Sequence, residues 1–464
     1  MAHVFISASH KSSGKTTIAM GLCAAFRERG LVVQPFKKGP DYIDPMWLAA
    51  AAGRVCYNLD YNTMSEAEIL AAFWRRARGA DLSVIEGNKG LYDGLDLEGG
   101  NSNAAVAILL GAPVVLVIDA RGMTRGIAPL ILGYQAFDPA VRIVGVILNK
   151  IGGSRHEAKL RAIIEHYTDV PVLGAIHRDP ALEITERHLG LIPNTETADA
   201  GVKVATIARM VADQVDLERL LELAAPTATP TPPLAREQPG AATAATDLTI
   251  AVARDAAFGF YYADDLEALE AAGARLLPID TMKQAHLPDL DGLFIGGGFP
   301  ETHMTALQDN RSLRHDIRAA IEGGLPTYAE CGGLMYLGRT LSWRGTTREM
   351  TGVIPADVVM HETPRGRGYV RLRETGSGPW PLAGGGEIAA HEFHYSSLEN
   401  LPGGTTFAYD VLRGFGVDGR HDGIVIGNLV ASFAHLRDGG AHRWTRRFVD
   451  FVRAHKGRLD ETGR

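Results

Sequence analysis

The sequence predicts an α/β protein with two doubly wound domains, each built from helices packed on a largely parallel sheet. Its 464 residues exceed what one hydrophobic core usually supports. Short apolar runs alternate with helix-length segments on both sides of a Pro-rich stretch, and this alternation is typical of parallel sheets. With 46% hydrophobic and 22% charged residues, the composition is that of an ordinary globular chain.

The domain boundaries follow from a shift in composition. We assign residues 1–223 to a first domain, 224–246 to a linker rich in Ala, Thr and Pro, and 247–464 to a second domain. The segment 346–386 is too rich in Gly, Arg and Pro for a secondary-structure assignment. The expected strands are Val4 to Ala8, Leu82 to Glu86, Val114 to Asp119, Ile143 to Asn149, Leu248 to Ala253, Leu293 to Ile295 and Thr327 to Ala329.

Charge and cysteine usage exclude several classes of protein. The net charge of −7, without any Lys/Arg block, argues against a nucleic-acid partner. Three widely spaced cysteines form neither a disulfide framework nor a metal cluster, and no secretory signal is recognisable, so we expect a cytoplasmic protein. The longest apolar run, Ala104 to Ile118, contains Gly111 and Pro113 and predicts helix, turn and strand, not a membrane span.

A phosphate-binding loop is predicted at Ser9 to Thr17. It follows an apolar strand and opens an amphipathic helix that we expect to end at Gly30. Backbone N–H groups at the helix start can hold phosphate oxygens, Lys15 can reach the β- and γ-phosphates, and Thr16 can ligate Mg²⁺. Ser9 stands where the first glycine of such loops usually lies. A Ser/Gly-rich turn without ligand is the alternative.

Carboxylates at expected strand ends could complete a magnesium nucleotide site. Glu86 directly ends an apolar strand and should project beside the phosphate loop, while Asp44 closes the segment Lys37 to Asp44. A solvated turn carboxylate is the alternative for each. Asn149, at the end of another strand, could present its amide to a nucleotide base.

The second chemical motif is a cysteine on a sharp turn. A buried strand ends at Glu330, and Cys331 leads directly into a short helix. Ala329 and Gly333 are small enough to permit a nucleophile elbow, which would expose the thiol at the sheet edge. The helix N-terminus should lower the pKa of the thiol and favour the thiolate. A buried structural cysteine is the alternative, and it suits Cys23 better.

A thiolate nucleophile also needs a histidine base and donors for the tetrahedral oxyanion. The glycine-rich segment containing Gly297 and Gly298 offers backbone N–H groups after a strand. His435 is the favoured base because it follows the strand-like run Ile424 to Ala434. His391 and His394 remain competitors for this role.

Taken together, these motifs resemble the cobyrinic acid a,c-diamide synthase family over essentially the whole chain. The first half is similar to the dethiobiotin-synthetase-like ATP domain of that family, and the second half to its class I glutamine amidotransferase domain. The resemblance rests on several long motifs in the right order. These are Gly14 to Thr16, Lys38 to Asp44, Gly90 to Gly94, Gly296 to Glu301, Glu330 to Gly333, His391 to Ser396 and Ala431 to His435.

The resemblance implies an amidoligase that uses ATP, Mg²⁺ and glutamine. ATP would activate peripheral acetate carboxylates of a modified tetrapyrrole as acyl phosphates, and ammonia from glutamine would convert two of them, a and c, to amides. Cys331 would form the glutamyl thioester with His435 as its base and Gly297 and Gly298 as oxyanion donors. The implied ATP-binding residues are Ser13, Gly14, Lys15, Thr16, Thr17 and Asn149, the last at the adenine. The implied metal ligands are Thr16, Asp44 and Glu86, and the implied substrate-binding residues are Lys38, Asp41, Tyr42 and Asp93.

Two departures from the family pattern leave questions open. Lys11, Asn88 and Lys89 replace small or apolar residues beside the expected phosphate and substrate site, and in this they are similar to a related subgroup thought to amidate sirohaem. The macrocycle, whether cobyrinic acid, hydrogenobyrinic acid or sirohaem, is therefore open. Leu436-Arg437 replaces the His or Glu that relatives carry after the base, so the partner that orients His435 is also open, with Glu392 or a backbone carbonyl as candidates.

A different class of function is a P-loop switch ATPase with an inactive amidotransferase-like module. The combination of Cys331, the glycine-rich segment and His435 argues against it, since a switch needs none of them. Ammonia must travel from one site to the other, and the sequence is compatible with a passage within one chain or between the subunits of a homodimer.

Overall fold

The computed structural model describes residues 1–179, 186–187, 190–197, 199–225, 246–381, 386–440 and 442–462. The chain divides into two compact units, Met1–Arg236 and Glu237–Arg464. Apart from residues 224, 225 and 246, the expected linker lies outside the described residues. Within these ranges, no helix combines the length and apolar character needed to cross a membrane.

The first unit is a parallel sheet flanked by helices. Its strands are β1 Ala2–Ala8, β2 Val33–Lys38, β3 Tyr57–Leu59, β4 Leu82–Glu86, β5 Val114–Asp119, β6 Ile143–Ile151, β7 Val172–His177 and a small ribbon of β8 Glu186–Arg187 and β9 Gly190–Leu191. Its helices are α1 Lys15–Glu28, α2 Ile43–Ala52, α3 Glu66–Ala77, α4 Asn103–Leu110, α5 Ile127–Phe137, α6 Ser154–Tyr167, α7 Ala200–Gln214 and α8 Leu217–Leu223.

The strand order explains where a ligand can bind. Among the described residues the sheet has seven strands in the order β3-β2-β4-β1-β5-β6-β7, and every pairing in it is parallel. Residues of β4 and β5 are buried throughout, as expected for strands covered on both faces. β1 lies between β4 and β5, so the order in which the chain adds strands reverses direction at β1. Parallel sheets bind ligands at the carboxyl ends of the strands beside such a reversal, which is called a switch point.

The local predictions for the first unit are confirmed. The apolar run from 104 to 118 is α4, a turn at Gly111 with φ 63°, and β5. Helix α1 is followed by Gly30 with φ 88°, a backbone conformation that favours glycine. Residues Ile18 to Phe26 of α1 are all buried, because α2 and α7 cover the faces that the sheet leaves open.

The second unit is also an α/β fold. Its strands are β10 Leu248–Ala253, β11 Phe258–Phe260, β12 Ala274–Ile279, β13 Gly292–Ile295, β14 Gly297–Gly298, β15 Thr327–Glu330, β16 Thr340–Trp343, β17 Thr346–Glu349, β18 Asp357–Met360, β19 Gly366–Glu374, β20 Glu387–His394, β21 Ser396–Glu399, β22 Thr406–Arg413, β23 His421–Ile426 and β24 Leu429–Ser432. Its helices are α9 Ala263–Ala271, α10 Met304–Asp309, α11 Arg311–Glu322, α12 Gly332–Leu337 and α13 Trp444–Thr462.

The large sheet of this unit has the order β12-β10-β13-β15-β24-β23-β22-β19-β20. In this order, the neighbouring strands from β12 through β24 pair in parallel, and those from β24 through β20 pair antiparallel. Neighbouring residues of β10 belong to two different hydrophobic clusters, one on each face of the sheet. Ile250 is in the cluster with residues of α9 and α13, and Ala251 is in the cluster with residues of α11 and α12. Helices therefore cover both faces of the sheet, as the doubly wound prediction requires.

Two sequence interpretations in this unit are refined. The run from 424 to 434, read as one strand, is a hairpin of β23 and β24, because Gly427 turns the chain with φ 56°. The unassigned segment 346–386 supplies β17, β18 and β19. Strands β17 and β18 join a four-stranded sheet of order β17-β16-β18-β21, while β19 lies in the large sheet.

Candidate functional site

The phosphate loop lies between β1 and α1, at the carboxyl edge of the first sheet. Gly14 caps α1 with φ 89°. If this residue carried a side chain, its Cβ would lie 2.1 Å from Nδ2 of Asn149, so only glycine fits. Lys15, Thr16 and Thr17 form the first turn of a 14-residue helix. The free backbone N–H groups of this turn and the positive end of the helix dipole suit a bound phosphate.

Asn149 supports the phosphate loop from the end of β6. Its Nδ2 donates to the carbonyl of Ser13 at 2.8 Å, and its Oδ1 accepts from the Lys150 N–H at 2.9 Å. Nearby, Nζ of Lys150 donates to the Ser12 carbonyl at 2.9 Å. The Asn149 amide thus supports the phosphate loop through its nitrogen, while its oxygen bonds to the backbone of β6, and its expected contact with adenine stays a prediction.

Two carboxylates and a hydroxyl converge beside the loop. Thr16 Oγ1 donates to Glu86 Oε1 at 2.6 Å and lies 3.2 Å from Asp44 Oδ2. Glu86 is fully buried, and its Oε2 has no hydrogen-bond partner among the described residues. An unpaired buried carboxylate oxygen is costly, and a hard cation such as Mg²⁺ is a suitable partner for it. The three residues predicted as metal ligands therefore lie together.

Lys37 is part of this cluster, and we missed it in the sequence. Its side chain is 2% exposed, and its Nζ contacts Asp44, lies 3.0 Å from Glu86 Oε1 and lies 3.8 Å from Asp41 Oδ2. Burial alone would lower the pKa of Lys37, yet the neighbouring carboxylates raise it overall. The sequence carried no distinctive signal for this role, since it follows from the burial of every residue of β2 in the fold.

Several charges in this site are poorly solvated. Burial, followed by the charge of Lys37, lowers the pKa of Lys15 to about 8. Burial, followed by the charge of Asp44, raises the pKa of Asp41 to about 7. Burial also raises the pKa of Glu86. An anion at Lys15 and a cation between the carboxylates would each relieve this cost, which fits a metal–nucleotide complex.

The predicted substrate-binding residues line the same edge. Lys38 Nζ lies 3.4 Å from Asn88 Oδ1, and burial lowers the pKa of Lys38 to about 8. Asp41 Oδ1 accepts the N–H groups at the start of α2, Tyr42 is 8% exposed, and Asp93 Oδ2 accepts the Gly90 N–H at 2.9 Å.

Asn103, the first residue of α4, organises the loop that carries these groups. Its Nδ2 donates to the Gly90 carbonyl at 3.0 Å, and its Oδ1 accepts the Asn88 N–H at 3.1 Å. The side chain is fully buried. We missed this residue because a single Asn at a helix start carries no distinctive sequence signal.

The chain turns sharply at Cys331 as the elbow predicts, but the residue is buried and not exposed at the sheet edge as expected. Cys331 lies between β15 and α12 with φ 46° and ψ −100°, a strained conformation for a non-glycine residue. A Cβ on Gly332 would lie 2.9 Å from the Gly298 N, and one on Gly333 would lie 2.2 Å from the Ile295 carbonyl oxygen. The glycines after the cysteine thus allow the predicted oxyanion segment to pack directly against the elbow.

The expected low pKa of the thiol is wrong. Burial, followed by the charge of Glu301, raises the pKa of Cys331. Helix α12 has only six residues, so its dipole is too weak to offset the loss of solvent. The thiol is therefore protonated in the free site, and an acting nucleophile needs a base to take its proton.

His435, the residue expected to act as that base, lies beside the oxyanion segment and has Glu330 as its neighbour. A Cβ on Gly297 would lie 2.5 Å from Cε1 of His435, so the imidazole borders the oxyanion segment. His435 Nδ1 lies 3.3 Å from Glu330 Oε2, and both side chains are buried. Glu330 Oε1 accepts from the Tyr328 hydroxyl at 2.8 Å and from the Leu436 N–H at 2.9 Å. Glu330, the residue before Cys331, is therefore the carboxylate that faces the His435 imidazole, a residue that the sequence did not suggest for this position.

The other residues considered as the base or as its orienting partner make different contacts. His391 stacks on His435 with ring centroids 4.9 Å apart, and burial lowers its pKa. His394 stacks on Phe433, and its Nδ1 lies 2.9 Å from the Ser396 carbonyl oxygen. Glu392, the candidate orienting carboxylate, instead accepts the N–H groups of residues 415 and 416.

The fold and the two sites define a protein that combines a P-loop nucleotide-binding unit with a glutamine amidotransferase-like unit. Comparison with family models agrees. Residues 5–192 match the CobQ/CobB/MinD/ParA nucleotide binding domain, and residues 249–439 match the CobB/CobQ-like glutamine amidotransferase domain.

Relatives align along nearly the whole chain. A cobyrinate a,c-diamide synthase of Magnetococcus marinus is 49% identical over 444 residues, covering 95% of each chain. Proteins of the same description from Methanosarcina acetivorans and Archaeoglobus fulgidus are 42% and 40% identical, covering 95% and 96% of this chain and 93% and 96% of theirs. The chain belongs to the cobyrinate a,c-diamide synthase family, and it is a glutamine-dependent amidoligase. This membership favours the enzyme over the switch ATPase.

Proposed function

We propose that this enzyme amidates the a and c acetate carboxylates of a modified tetrapyrrole of the cobyrinic acid type, using ATP, Mg²⁺ and glutamine. The observation that carries the proposal is the presence of two complete sites on one chain. One holds a phosphate loop beside a carboxylate cluster, and the other holds Cys331, His435 and Glu330. The relatives that align over the whole chain carry the same activity in their names.

In the first unit, the substrate carboxylate attacks the γ-phosphate of ATP and forms an acyl phosphate as ADP leaves. Lys15 and the N–H groups of the first turn of α1 hold the phosphates, and positioning and charge neutralisation supply most of the catalysis. Thr16, Asp44 and Glu86 would hold Mg²⁺, which would neutralise charge on the β- and γ-phosphates. Since no group of three His, Cys, Asp or Glu side chains in the described residues could hold a metal ion, phosphate oxygens of the nucleotide would be needed as further ligands.

In the second unit, Cys331 attacks the side-chain amide carbon of glutamine. His435 takes the thiol proton and gives it to the departing nitrogen, so ammonia leaves and a glutamyl thioester remains. N–H groups of Gly297 and Gly298 stabilise the oxyanion, and Glu330 stabilises the charged imidazole. Water then hydrolyses the thioester to glutamate.

Ammonia attacks the carbonyl carbon of the acyl phosphate, and inorganic phosphate leaves as the amide forms. Lys38, Asp41, Tyr42 and Asp93 lie at the edge where the tetrapyrrole carboxylate must approach the phosphate loop. Two rounds of the reaction give the diamide.

Sirohaem is the second candidate macrocycle. Asn88 lies 3.4 Å from Lys38 Nζ, and the charge of Lys89 acts on Lys38. Both residues thus belong to the substrate edge, where they replace residues that are usually small or apolar. Sirohaem carries comparable acetates, so the same chemistry would apply.

The test is an amidation assay with ATP, Mg²⁺ and glutamine on cobyrinic acid, hydrogenobyrinic acid and sirohaem, read by mass spectrometry. We expect two successive amidations of one macrocycle, each dependent on ATP and glutamine. Amidation without ATP, or ATP hydrolysis without amidation of any tetrapyrrole, would contradict the proposal.

A further inference from the structure

A group of exposed apolar side chains lies beside the phosphate loop and has no role in the reaction as described. Leu95 and Leu97, in the loop between β4 and α4, are 51% and 97% exposed, and Phe137, the last residue of α5, is 74% exposed. Single exposed apolar residues need no explanation. Three large exposed apolar side chains on two adjoining segments next to a reaction site do need an explanation.

The two segments are joined through aromatic rings. Tyr92 packs on Phe137 with ring centroids 4.7 Å apart and on Tyr134 with centroids 5.4 Å apart. The Tyr92 hydroxyl donates to the Tyr134 carbonyl at 2.6 Å. Leu95 and Leu97 follow Tyr92 by three and five residues. We call Tyr92, Leu95, Leu97 and Phe137 the apolar platform.

The platform is connected to the phosphate loop by direct hydrogen bonds. The Tyr134 hydroxyl donates to the carbonyl of Ser9, the first residue of the loop, at 2.6 Å. The Leu91 N–H donates to the Ala8 carbonyl at 2.8 Å, immediately before Ser9. A Cβ on Gly90 would lie 2.9 Å from the Ser9 carbonyl oxygen. The residues next to the platform, Leu91 and Tyr134, thus contact the start of the phosphate loop, so the platform adjoins that end of the loop.

The exposed leucines are presented by an ordered loop. The Leu95 N–H donates to Asn101 Oδ1 at 2.8 Å, and the Gly100 N–H donates to Asp96 Oδ1 at 2.7 Å. The loop ends at Ser102, whose hydroxyl caps α4 by accepting the Ala105 N–H. These bonds fix the loop backbone while leaving the leucine side chains in solvent, where they cost free energy unless something covers them.

The chemistry of the surroundings indicates what covers the platform. Lys89 belongs to the same loop as Leu95 and Leu97, Lys38 contacts Asn88 of that loop, and Lys15 lies at the phosphate site. A ligand that fits has a broad apolar face, anionic groups on its rim, and one carboxylate that reaches the phosphate loop. A tetrapyrrole macrocycle with peripheral acetates has all three properties.

We propose that Tyr92, Leu95, Leu97 and Phe137 form the surface on which the face of the tetrapyrrole macrocycle binds while one acetate reaches the phosphate loop. This inference rests on the proposed function. The platform binds the unreacted macrocycle and its activated form alike, so its loss raises KM for the tetrapyrrole and leaves kcat nearly unchanged. Burial of one such side chain corresponds to roughly a tenfold to hundredfold change in affinity.

The test compares Leu97→Ser and Phe137→Ser with the control Leu132→Ser in the full-length enzyme. Leu132 is a partly exposed leucine of α5, about 160° around the helix from Tyr134. Amidation of cobyrinic acid and sirohaem is measured at saturating ATP with ammonia as nitrogen source, so that the glutaminase site does not limit the rate. Size-exclusion chromatography reports the oligomeric state of each variant.

We expect Leu97→Ser and Phe137→Ser each to raise KM for the tetrapyrrole about tenfold or more, with kcat and KM for ATP close to wild type and the control unchanged. Unchanged KM in both variants would overturn the inference, and an altered oligomeric state without a change in KM would assign the platform to contact between copies of the chain. A wild-type enzyme that amidates neither tetrapyrrole would overturn the proposed function itself.

Discussion

Replacing Glu330 by Gln removes the charge that faces His435 while keeping the size of the side chain. In the wild-type structure Glu330 Oε2 lies 3.3 Å from His435 Nδ1, and the two side chains are 4% and 3% exposed. A Gln oxygen can still accept from the Tyr328 hydroxyl and the Leu436 N–H, so the strand and the elbow should fold normally. The change is therefore confined to the partner of the imidazole.

The expected loss follows from the stabilisation of the protonated imidazole. Once the imidazole carries the proton, the 3.3 Å contact with the Glu330 carboxylate becomes a charge-assisted interaction, and a hydrogen bond to a charged group contributes about 1.5–3 kcal/mol, roughly a 10- to 150-fold change in rate. Because His435 carries the proton only while glutamine is cleaved, glutamine-dependent kcat should fall by this factor. Ammonia-dependent amidation should be unaffected, since it uses the first unit alone.

The assay measures amidation with glutamine and with ammonia, and glutaminase activity across a pH series. Glu392→Gln is the control for damage to the fold, because Glu392 is a second buried carboxylate near His394, not His435, whose two oxygens accept the N–H groups of residues 415 and 416, so that Gln loses one of these bonds without changing the partner of His435. Wild-type glutamine turnover in Glu330→Gln would refute the role assigned to Glu330. An equal loss with both nitrogen sources would indicate damage to the fold.

Three further predictions concern both units. Lys37→Met should lower the stability of the ligand-free protein by about 3–5 kcal/mol, because it leaves buried carboxylates without a counter-charge, and Mg²⁺ should raise Tm more in this variant than in wild type. Asn149→Ala should raise KM for ATP, GTP and CTP by a similar factor, because the amide supports the Ser13 carbonyl of the phosphate loop. Because burial raises the pKa of Cys331, its alkylation by iodoacetamide should keep accelerating above about pH 9 as thiolate forms.

Each of these has a clear contrary result. An unchanged Tm of ligand-free Lys37→Met would show that the lysine is not needed to balance the carboxylates. A selective loss for ATP in Asn149→Ala would show that the amide reads adenine, as the sequence suggested. An alkylation rate that reaches its plateau below about pH 7 would show a stabilised thiolate at Cys331.

The sequence was sufficient to predict a site where a secondary-structure pattern and a chemical motif occur in the same short segment. The phosphate loop, the strand that ends at Glu86 and the elbow at Cys331 each combine a strand, a turn and small residues at fixed spacing, so their placement could be predicted. The two α/β units followed from the alternation of strands and helices. Gly427 carried a turn signal within the run from 424 to 434, which in hindsight separates β23 from β24.

The rest depended on distances between residues far apart in the chain. Glu330 precedes the nucleophile, but only the pairing of β15 with β24 brings it to His435. Lys37 joins the acidic cluster because β2 pairs with β4. The pKa of Cys331 was predicted in the wrong direction because the helix dipole can be guessed from sequence, whereas burial cannot.

The most direct test of the two-site account is Cys331→Ala assayed for tetrapyrrole amidation with glutamine and, separately, with ammonium salts. Cys331 is the only residue of the second unit to which covalent chemistry is assigned, and the phosphate loop lies in the other unit. The account predicts that glutamine no longer supports amidation while ammonia still does, at a rate close to that of wild type. Amidation that persists with glutamine, or disappears with both nitrogen sources, would contradict it.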